Sequence, residues 1–333
     1  MRIPTSTKTA DNNDFFLTEE RIKNLTSYDN NVNKEKENPL LRVFLMTYNH
    51  VKFIRYCLNG ILMQRTDFPF EIYIQDDCST DGTSDIIREY ANKYPNITVG
   101  IHSENLYTKG QLKEKMIFNM KNHNCKYLAF CEGDDYWIDP YKLQIQVGFL
   151  EKHSDFSICS GGWITNNCFN GNQEINIREG FTGIEYDFAT AHKILYLILN
   201  LTRVWRADAT PEFETVKKYK YFRDIHLEYY ILTKGKGYFF SRIFGVYNKH
   251  QGGVFSRAST LSQITTDYRV YEELYRETRD EQLKGMFIYL VKRYAFECLK
   301  TDEQRVDFYK NFKETFPEIS QDIECLFKEK GLI

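Results

Sequence analysis

The chain has 333 residues, too many for a minimal single domain and a good fit to one large α/β domain with appendages. Its 44 basic and 46 acidic side chains balance to a formal −2, so there is no global electrostatic footprint for nucleic acid, or for an anionic membrane, as the main partner. Hydrophobic residues at 42%, aromatics at 16% and only 7 prolines exclude a mostly disordered chain, because that much apolar material offsets the entropy of ordering.

Residues 1–38 are rich in Asn, Lys, Glu, Thr and Asp and are expected as a polar N-terminal arm. The fold is expected to begin at Pro39. Leu40 to Met46 is a short apolar β run; Thr47-Tyr48-Asn49-His50 breaks it; Val51, Ile54, Leu58, Ile61 and Leu62 then form a helical stripe. The unit recurs. Phe70 to Ile74 reads as a strand, Gln75 to Gly82 as a polar loop and Ser84 to Tyr94 as a helix. Ile97 to Ile101 precedes a helix through Ile117 and Met120, and Tyr127 to Cys131 is a fourth strand. Alternating β and α of this kind predicts an α/β fold: a mostly parallel, Rossmann-like sheet with right-handed crossovers and helices on both faces.

From residue 140 the pattern changes. Asp139 as N-cap and Pro140 at the first helical position are expected to open a helix through Leu143, Val147 and Leu150. Phe156 to Trp163 reads as a strand, 165–180 as a polar loop, Ile184 to Leu199 as helical at first, Tyr221 to Leu232 as a helix and Gly237 to Tyr247 as a strand. Residues 260–333 read as helical throughout. The expected division is therefore an arm over 1–38, an α/β domain over 39–258 (halves 39–140 and 141–258) and a helical C-terminal extension over 259–333.

No stretch approaches the roughly 18 to 20 apolar residues a membrane span requires. The start Met1-Arg2-Ile3-Pro4-Thr5 has no apolar leader, and cytoplasmic residence, peripheral at the inner membrane face at most, is the expectation. The eight cysteines include no C-x-x-C pair, so free thiols in a reducing compartment are expected.

Ligands of parallel sheets sit at the carboxyl ends of the strands. Here those ends carry Thr47, Tyr48 and Asn49; Asp76, Asp77, Ser79, Thr80 and Asp81; and Glu132, Gly133, Asp134 and Asp135. Acidic clusters converging on one edge need a cation or a hydrogen-bonding ligand, and two adjacent aspartates at a strand end suit a metal-diphosphate, since magnesium uses one or two carboxylates plus phosphate oxygens. The plain alternatives stand beside this: a solvated turn at Asp134-Asp135, an Asx-rich turn at 75–83, a cap at Asp224 and a simple turn at His250-Gln251-Gly252-Gly253. Asp224 also fits a general base for a hydroxyl nucleophile. No G-x-x-x-x-G-K-[ST], G-x-S-x-G or H-E-x-x-H occurs, which weakens ATPase, α/β-hydrolase and metalloprotease readings.

In this order and spacing, Thr47-Tyr48-Asn49-His50, Asp76-Asp77-Cys78-Ser79-Thr80-Asp81-Gly82-Thr83, Glu132-Gly133-Asp134-Asp135-Tyr136-Trp137 with Asp139-Pro140, and His250-x-Gly252-Gly253 resemble the inverting glycosyltransferases of family 2, with the GT-A fold, of the bacterial polysaccharide-building kind. The resemblance runs from about Leu41 to Ser256. It implies that Thr47, Tyr48 and Asn49 line a nucleotide pocket and that Asp76, with Asp77 and Asp134, binds the nucleotide. It also implies that Asp135 is the direct ligand of Mg2+ or Mn2+ with His250 at the metal, that Gly252 and Gly253 approach the diphosphate, and that Asp224 is the catalytic base. Arg223-Asp224-Ile225 stands where relatives often show a small residue before the acid and an aromatic after it, which leaves Glu228, one turn on, in reserve.

The implied reaction moves a hexose or N-acetylhexosamine from a nucleotide sugar, UDP-linked by family habit, to a hydroxyl of a glycan or lipid-linked glycan in surface polysaccharide synthesis. A protein acceptor is the alternative. A sugar-phosphate nucleotidyltransferase lacks its Gly-rich opening loop here, and a non-catalytic nucleotide-sugar-binding module would bind without turnover. For the C-terminal helices a homodimer interface, an amphipathic membrane dock and plain core cover are all open, with core cover the default. Lys217-Lys218-Tyr219-Lys220 is a basic patch that fits phospholipid or a lipid-diphosphate acceptor as well as a solvated face.

Overall fold

The computed structural model describes residues 38–177, 182–191, 199–253 and 258–333. Of the expected N-terminal arm, residues 1–37 lie outside the described residues. The strands are β1 (Leu41–Thr47), β2 (Phe70–Asp76), β3 (Ile97–Ile101), β4 (Tyr127–Glu132), β5 (Tyr136–Trp137), β6 (Phe156–Asn167), β7 (Gln173–Asn176), β8 (Gly183–Tyr186), β9 (Val204–Arg206) and β10 (Lys236–Lys249). The helices are α1 (Ile54–Leu62), α2 (Thr83–Lys93), α3 (Leu112–Lys121), α4 (Lys142–Lys152), α5 (Asp224–Leu232), α6 (Thr260–Thr278), α7 (Glu281–Arg293), α8 (Asp302–Thr315) and α9 (Pro317–Glu329), with single turns at Phe188–Thr190 and Phe213–Val216.

Among the described residues one sheet runs in the order β3-β2-β1-β4-β9-β6-β10-β5, with β7 added to β6 and β8 to β10. β1 pairs in parallel with both β2 and β4, and β2 with β3. β6 and β10 are parallel to each other, while β9 lies antiparallel between β4 and β6. The two-residue period of β1 explains the layers. Leu41, Val43 and Leu45 face a cluster with Ile54, Leu58 and Ile87 of α1 and α2, and Phe44 faces Ile117 and Met120 of α3 on the opposite side. Each such buried side chain contributes roughly 1.5 to 3 kcal/mol by leaving water.

Several elements differ from the sequence reading. Helix α4 begins at Lys142, not at Pro140: Asp139 accepts the Tyr141 N–H at 2.9 Å in a preceding turn and pairs with Arg242 of β10. The stretch 165–180, expected as a loop, holds the end of β6 and all of β7, a hairpin through Asn170-Gly171 whose polar strands hid its period. At 184 the expected helix is strand β8 on the edge of β10, followed by one helical turn whose cap, Asp187, accepts the Thr190 N–H. Short apolar runs do not separate helix from strand by period alone. The rest of that expected helix, 192–198, lies outside the described residues.

The C-terminal helices pack an aromatic interior of Tyr271, Tyr275, Phe287, Phe312, Phe316 and Phe327 among themselves and against Phe188, Tyr219 and Tyr229. Their apolar stripe is thus core. No helix among the described residues is long and apolar enough to cross a membrane.

Candidate active site

The register of the parallel strands brings Thr47 level with Asp76, and Met46 level with Glu132, so the loops after β1, β2 and β4 share one edge. The first two loops are knitted together. Asn49, at φ 56°, takes the Thr80 N–H on its side-chain oxygen at 2.8 Å and donates its own N–H to Ser79 Oγ at 2.9 Å. His50 N–H donates to Thr83 Oγ1 and Val51 N–H to Asp81. Asp76 is fully buried and accepts from Ser79 and Ser84 hydroxyls. Asp77 accepts the N–H groups of Leu106 at 2.7 Å and Tyr107 at 3.0 Å, fixing the loop after β3. In this structure, then, Asn49, Asp76 and Asp77 hold loops in shape, while Tyr48 stands 44% exposed beside them.

After β4, Asp134 lies between two histidines. His250 Nε2 is 3.0 Å from its carboxylate and His50 Nε2 is 3.6 Å away. One ligand atom from each of the three side chains lies within 4.8 Å of the others. Both rings are oriented from behind: His50 Nδ1 sits 3.1 Å from Thr47 Oγ1, and His250 Nδ1 accepts the Gly252 N–H at 3.1 Å. Burial pushes the Asp134 carboxyl up, but the bond from His250 and the neighbouring imidazoles outweigh it and hold it below the usual carboxylate range.

Asp135, expected as the direct metal ligand with His250, is not in this cluster. Its side chain is buried, its Oδ1 accepts the Asn248 N–H at 2.9 Å, and burial with the charges of Asp134 and Glu132 drives its carboxyl well up. Asp134 is the aspartate that faces the histidines, and Asn248 of β10 holds the second aspartate inward. His50, quoted in the opening motif but not expected as a ligand, completes the group; its only sequence signal is its place three residues beyond the end of β1. Gly252 and Gly253 close a turn on His250, Gly253 N–H donating to its carbonyl oxygen at 3.2 Å.

Asp224 is exposed at the first position of α5. Its charge reaches the β4 loop. The Glu132 carboxyl is pushed up to about 8, by burial first and then by the charge of Asp134, with the charge of Asp224 adding to the rise. Glu228, the reserve, is buried and bound to Arg203 at 2.8 Å. Arg203 in turn donates to Asn200 at 2.6 Å, and Asn200 to Glu132 at 3.1 Å, a relay from α5 to the β4 loop that the sequence did not reveal.

Gly133 is the tightest point of the site. A Cβ there would lie 2.4 Å from Thr47 Oγ1 and 3.0 Å from His50 Nδ1. Gly133→Ala is expected to displace His50 from Asp134 and to destabilise the fold by about 1 to 3 kcal/mol through overpacking. Denaturant titration together with metal binding checks this, and an unchanged variant would show the loop to be pliable.

A mostly parallel central sheet with helices packed on both faces and a helical C-terminal part is the architecture of the GT-A class of fold. The profile of glycosyl transferase family 2 matches residues 42–210, and the chain belongs to that family. It is 40% identical over 120 residues to an uncharacterized protein of Mycobacterium tuberculosis, 36% of this chain and 34% of that protein. It is 33% identical over 114 residues to the poly(ribitol-phosphate) beta-N-acetylglucosaminyltransferase TarS of Staphylococcus aureus, 33% of this chain and 19% of that protein. The chain therefore matches 34% or less of the length of these curated relatives. The crystal structure of S. aureus TarS 1–349 in complex with UDP-GlcNAc superposes with a TM-score of 0.60 at 20% identity, over 84% of this chain and 82% of that one, a likeness of fold.

Proposed function

We propose that this chain is an inverting glycosyltransferase that moves a hexose or N-acetylhexosamine from a UDP-sugar to a hydroxyl of a glycan acceptor. The observation that carries the reading is the His50-Asp134-His250 cluster at the carboxyl edge of the sheet, with Asp224 near enough to Glu132 of the same loop for its charge to act there. N-acetylglucosamine is the donor sugar to try first, since a relative is named for it and a structural neighbour holds UDP-GlcNAc.

In this reading Asp224 takes the proton of the acceptor hydroxyl, whose oxygen attacks the anomeric carbon from the face opposite the nucleotide, so that configuration inverts. Tyr48 borders the nucleotide, and Asn49, Asp76 and Asp77 hold the loops that shape its pocket. A divalent ion, when bound, neutralises charge on the departing diphosphate. The residues fit one: two imidazoles and a carboxylate form a borderline donor set, better suited to Mn2+ than to the harder Mg2+, with His50, Asp134 and His250 as holders.

The reading is tested by incubating purified protein with a panel of nucleotide sugars in Mn2+, in Mg2+ and in chelator. Release of UDP from one donor, abolished by chelator, is the expected result; binding without turnover would support a non-catalytic module. For the ligand set, Asp134→Ala is expected to weaken Mn2+ binding by more than the roughly 10- to 100-fold that loss of an outer-shell partner costs. Electron paramagnetic resonance titration reads this directly. Unchanged affinity in that variant, with loss in Asp135→Ala, would return the ligand role to Asp135.

A further inference from the structure

The segment that leads into α5 is held by the C-terminal helices. The backbone N–H groups of Lys220 and Tyr221, adjacent in sequence and three to four residues before Asp224, donate to the two carboxylate oxygens of Glu273 in α6 at 3.1 and 2.9 Å. Around this pair, Lys218 is bound to Glu277, the Arg269 guanidinium lies 5.2 Å from the centre of the Tyr221 ring, and Tyr229 OH donates to Asp280 at 2.7 Å. The exposed ion pair between Lys218 and Glu277 contributes little, as such pairs do. Glu273 is different, because a carboxylate accepting two backbone N–H groups makes charge-assisted bonds and fixes the path of the chain as well as one side chain.

The same segment is gripped from its other side. Lys113 of α3 donates to the Tyr219 carbonyl oxygen, and the buried His226 accepts the Arg223 N–H at 3.1 Å while its ring packs 4.4 Å from that of Tyr219. Residues 219–223 are thus a short irregular strap between two anchors, α3 and α6, with Asp224 at its end. Helix α6 also comes near Asp224 itself: the Asp267 carboxyl is raised to about 6, by burial first and then by the charge of Asp224.

We infer that Glu273 is a positioning residue: by clamping the N–H groups of Lys220 and Tyr221 it sets where the Asp224 carboxylate stands. Helix α6, outside the stretch matched by the family profile, is on this inference part of the working site as well as a cover for the core. The inference rests on the proposed transfer reaction, in which Asp224 meets the acceptor.

The test compares full-length wild type with Glu273→Ala and Glu273→Gln. UDP release is measured from UDP-N-acetylglucosamine in Mn2+ with water as acceptor, and amide hydrogen exchange is followed along the chain. Because a displacement of about 1 Å costs on the order of 100-fold in rate, Glu273→Ala is expected to lose about that in kcat with KM for the donor unchanged. Glu273→Gln keeps one acceptor oxygen and is expected to lose less. Exchange should quicken at 220–223 in the alanine variant and stay as in wild type over β1, β2 and α1. Wild-type kcat and exchange in Glu273→Ala would overturn the clamp, as would a general rise in exchange with a raised donor KM, the mark of a merely structural role. No UDP release from wild type would count against UDP-N-acetylglucosamine as donor, and exchange at 220–223 alone would then decide for or against the clamp.

Discussion

Replacing Asp224 by Asn is expected to lower turnover by roughly 10²- to 10⁴-fold while leaving the affinity for UDP-sugar in place. The two halves of that expectation come from different elements. The cluster proposed to hold the diphosphate hangs from β1, β4 and the end of β10, whereas Asp224 begins α5 and is exposed. Asparagine keeps the size and an oxygen to accept the Ile225 N–H but cannot take a proton at neutral pH. Neither nearby glutamate replaces it. Glu228, one turn along, is buried and bound to Arg203, so its carboxylate is turned into the protein and away from an acceptor. Glu132 sits on the far side of the Asn200 bridge. Glu228→Gln should therefore differ in kind, weakening the fold by leaving Arg203 buried without its partner charge, at a cost of about 3 to 5 kcal/mol when such a pair is broken. Steady-state kinetics with isothermal titration of UDP separates the two variants. Near-normal turnover in Asp224→Asn would sink its assignment as base, and lost UDP binding would place it in the donor site instead.

How much of this could be read without coordinates follows from where each interaction is encoded. The strand-loop-helix units over 40–132 were legible because each apolar run is closed by a polar break at its carboxyl end, and the rule that ligands sit there located all three loops. Roles within the loops were not legible. Asp134 and Asp135 are neighbours, and the side chain that faces the histidines is fixed by Asn248, 113 or 114 positions away. Asp76 and Asp77 look like ligands in the sequence, but their first partners are their own loop and the loop after β3. Residues 184–186 were misread because a strand of four residues on a sheet edge carries too little period to be told from a helix. Buried charges are the hardest of all. Nothing in the sequence marks Arg203, Glu228 or Lys142 as interior.

Lys142 has the second large expected effect, on stability. Its side chain is fully buried, and its ammonium nitrogen is among the buried polar atoms with no hydrogen-bond partner. It lies 4.2 Å from the centre of the Trp137 ring. Burial lowers its pKa from 10.5 to about 7. Above pH 10.5 the amine is neutral in both folded and unfolded chains and has no effect on the balance. Between there and pH 7 the unfolded chain binds a proton that the folded chain does not, so stability falls as pH falls, by on the order of 4 kcal/mol in all. Attraction of the protonated amine to the face of Trp137, worth about 2 kcal/mol for a desolvated cation, favours retention of the proton in the fold and narrows this penalty. Methionine has nearly the same length and no charge to desolvate. Lys142→Met is therefore expected to be the more stable protein at pH 7, by on the order of 2 kcal/mol, with the advantage shrinking toward pH 10. Urea titrations of both proteins from pH 6 to 10 give the difference curve, in which the other ionising groups cancel. A variant less stable than wild type at every pH would mean that the ammonium is held by an interaction stronger than the ring face, and a parallel pair of curves would mean that it keeps its proton in the fold.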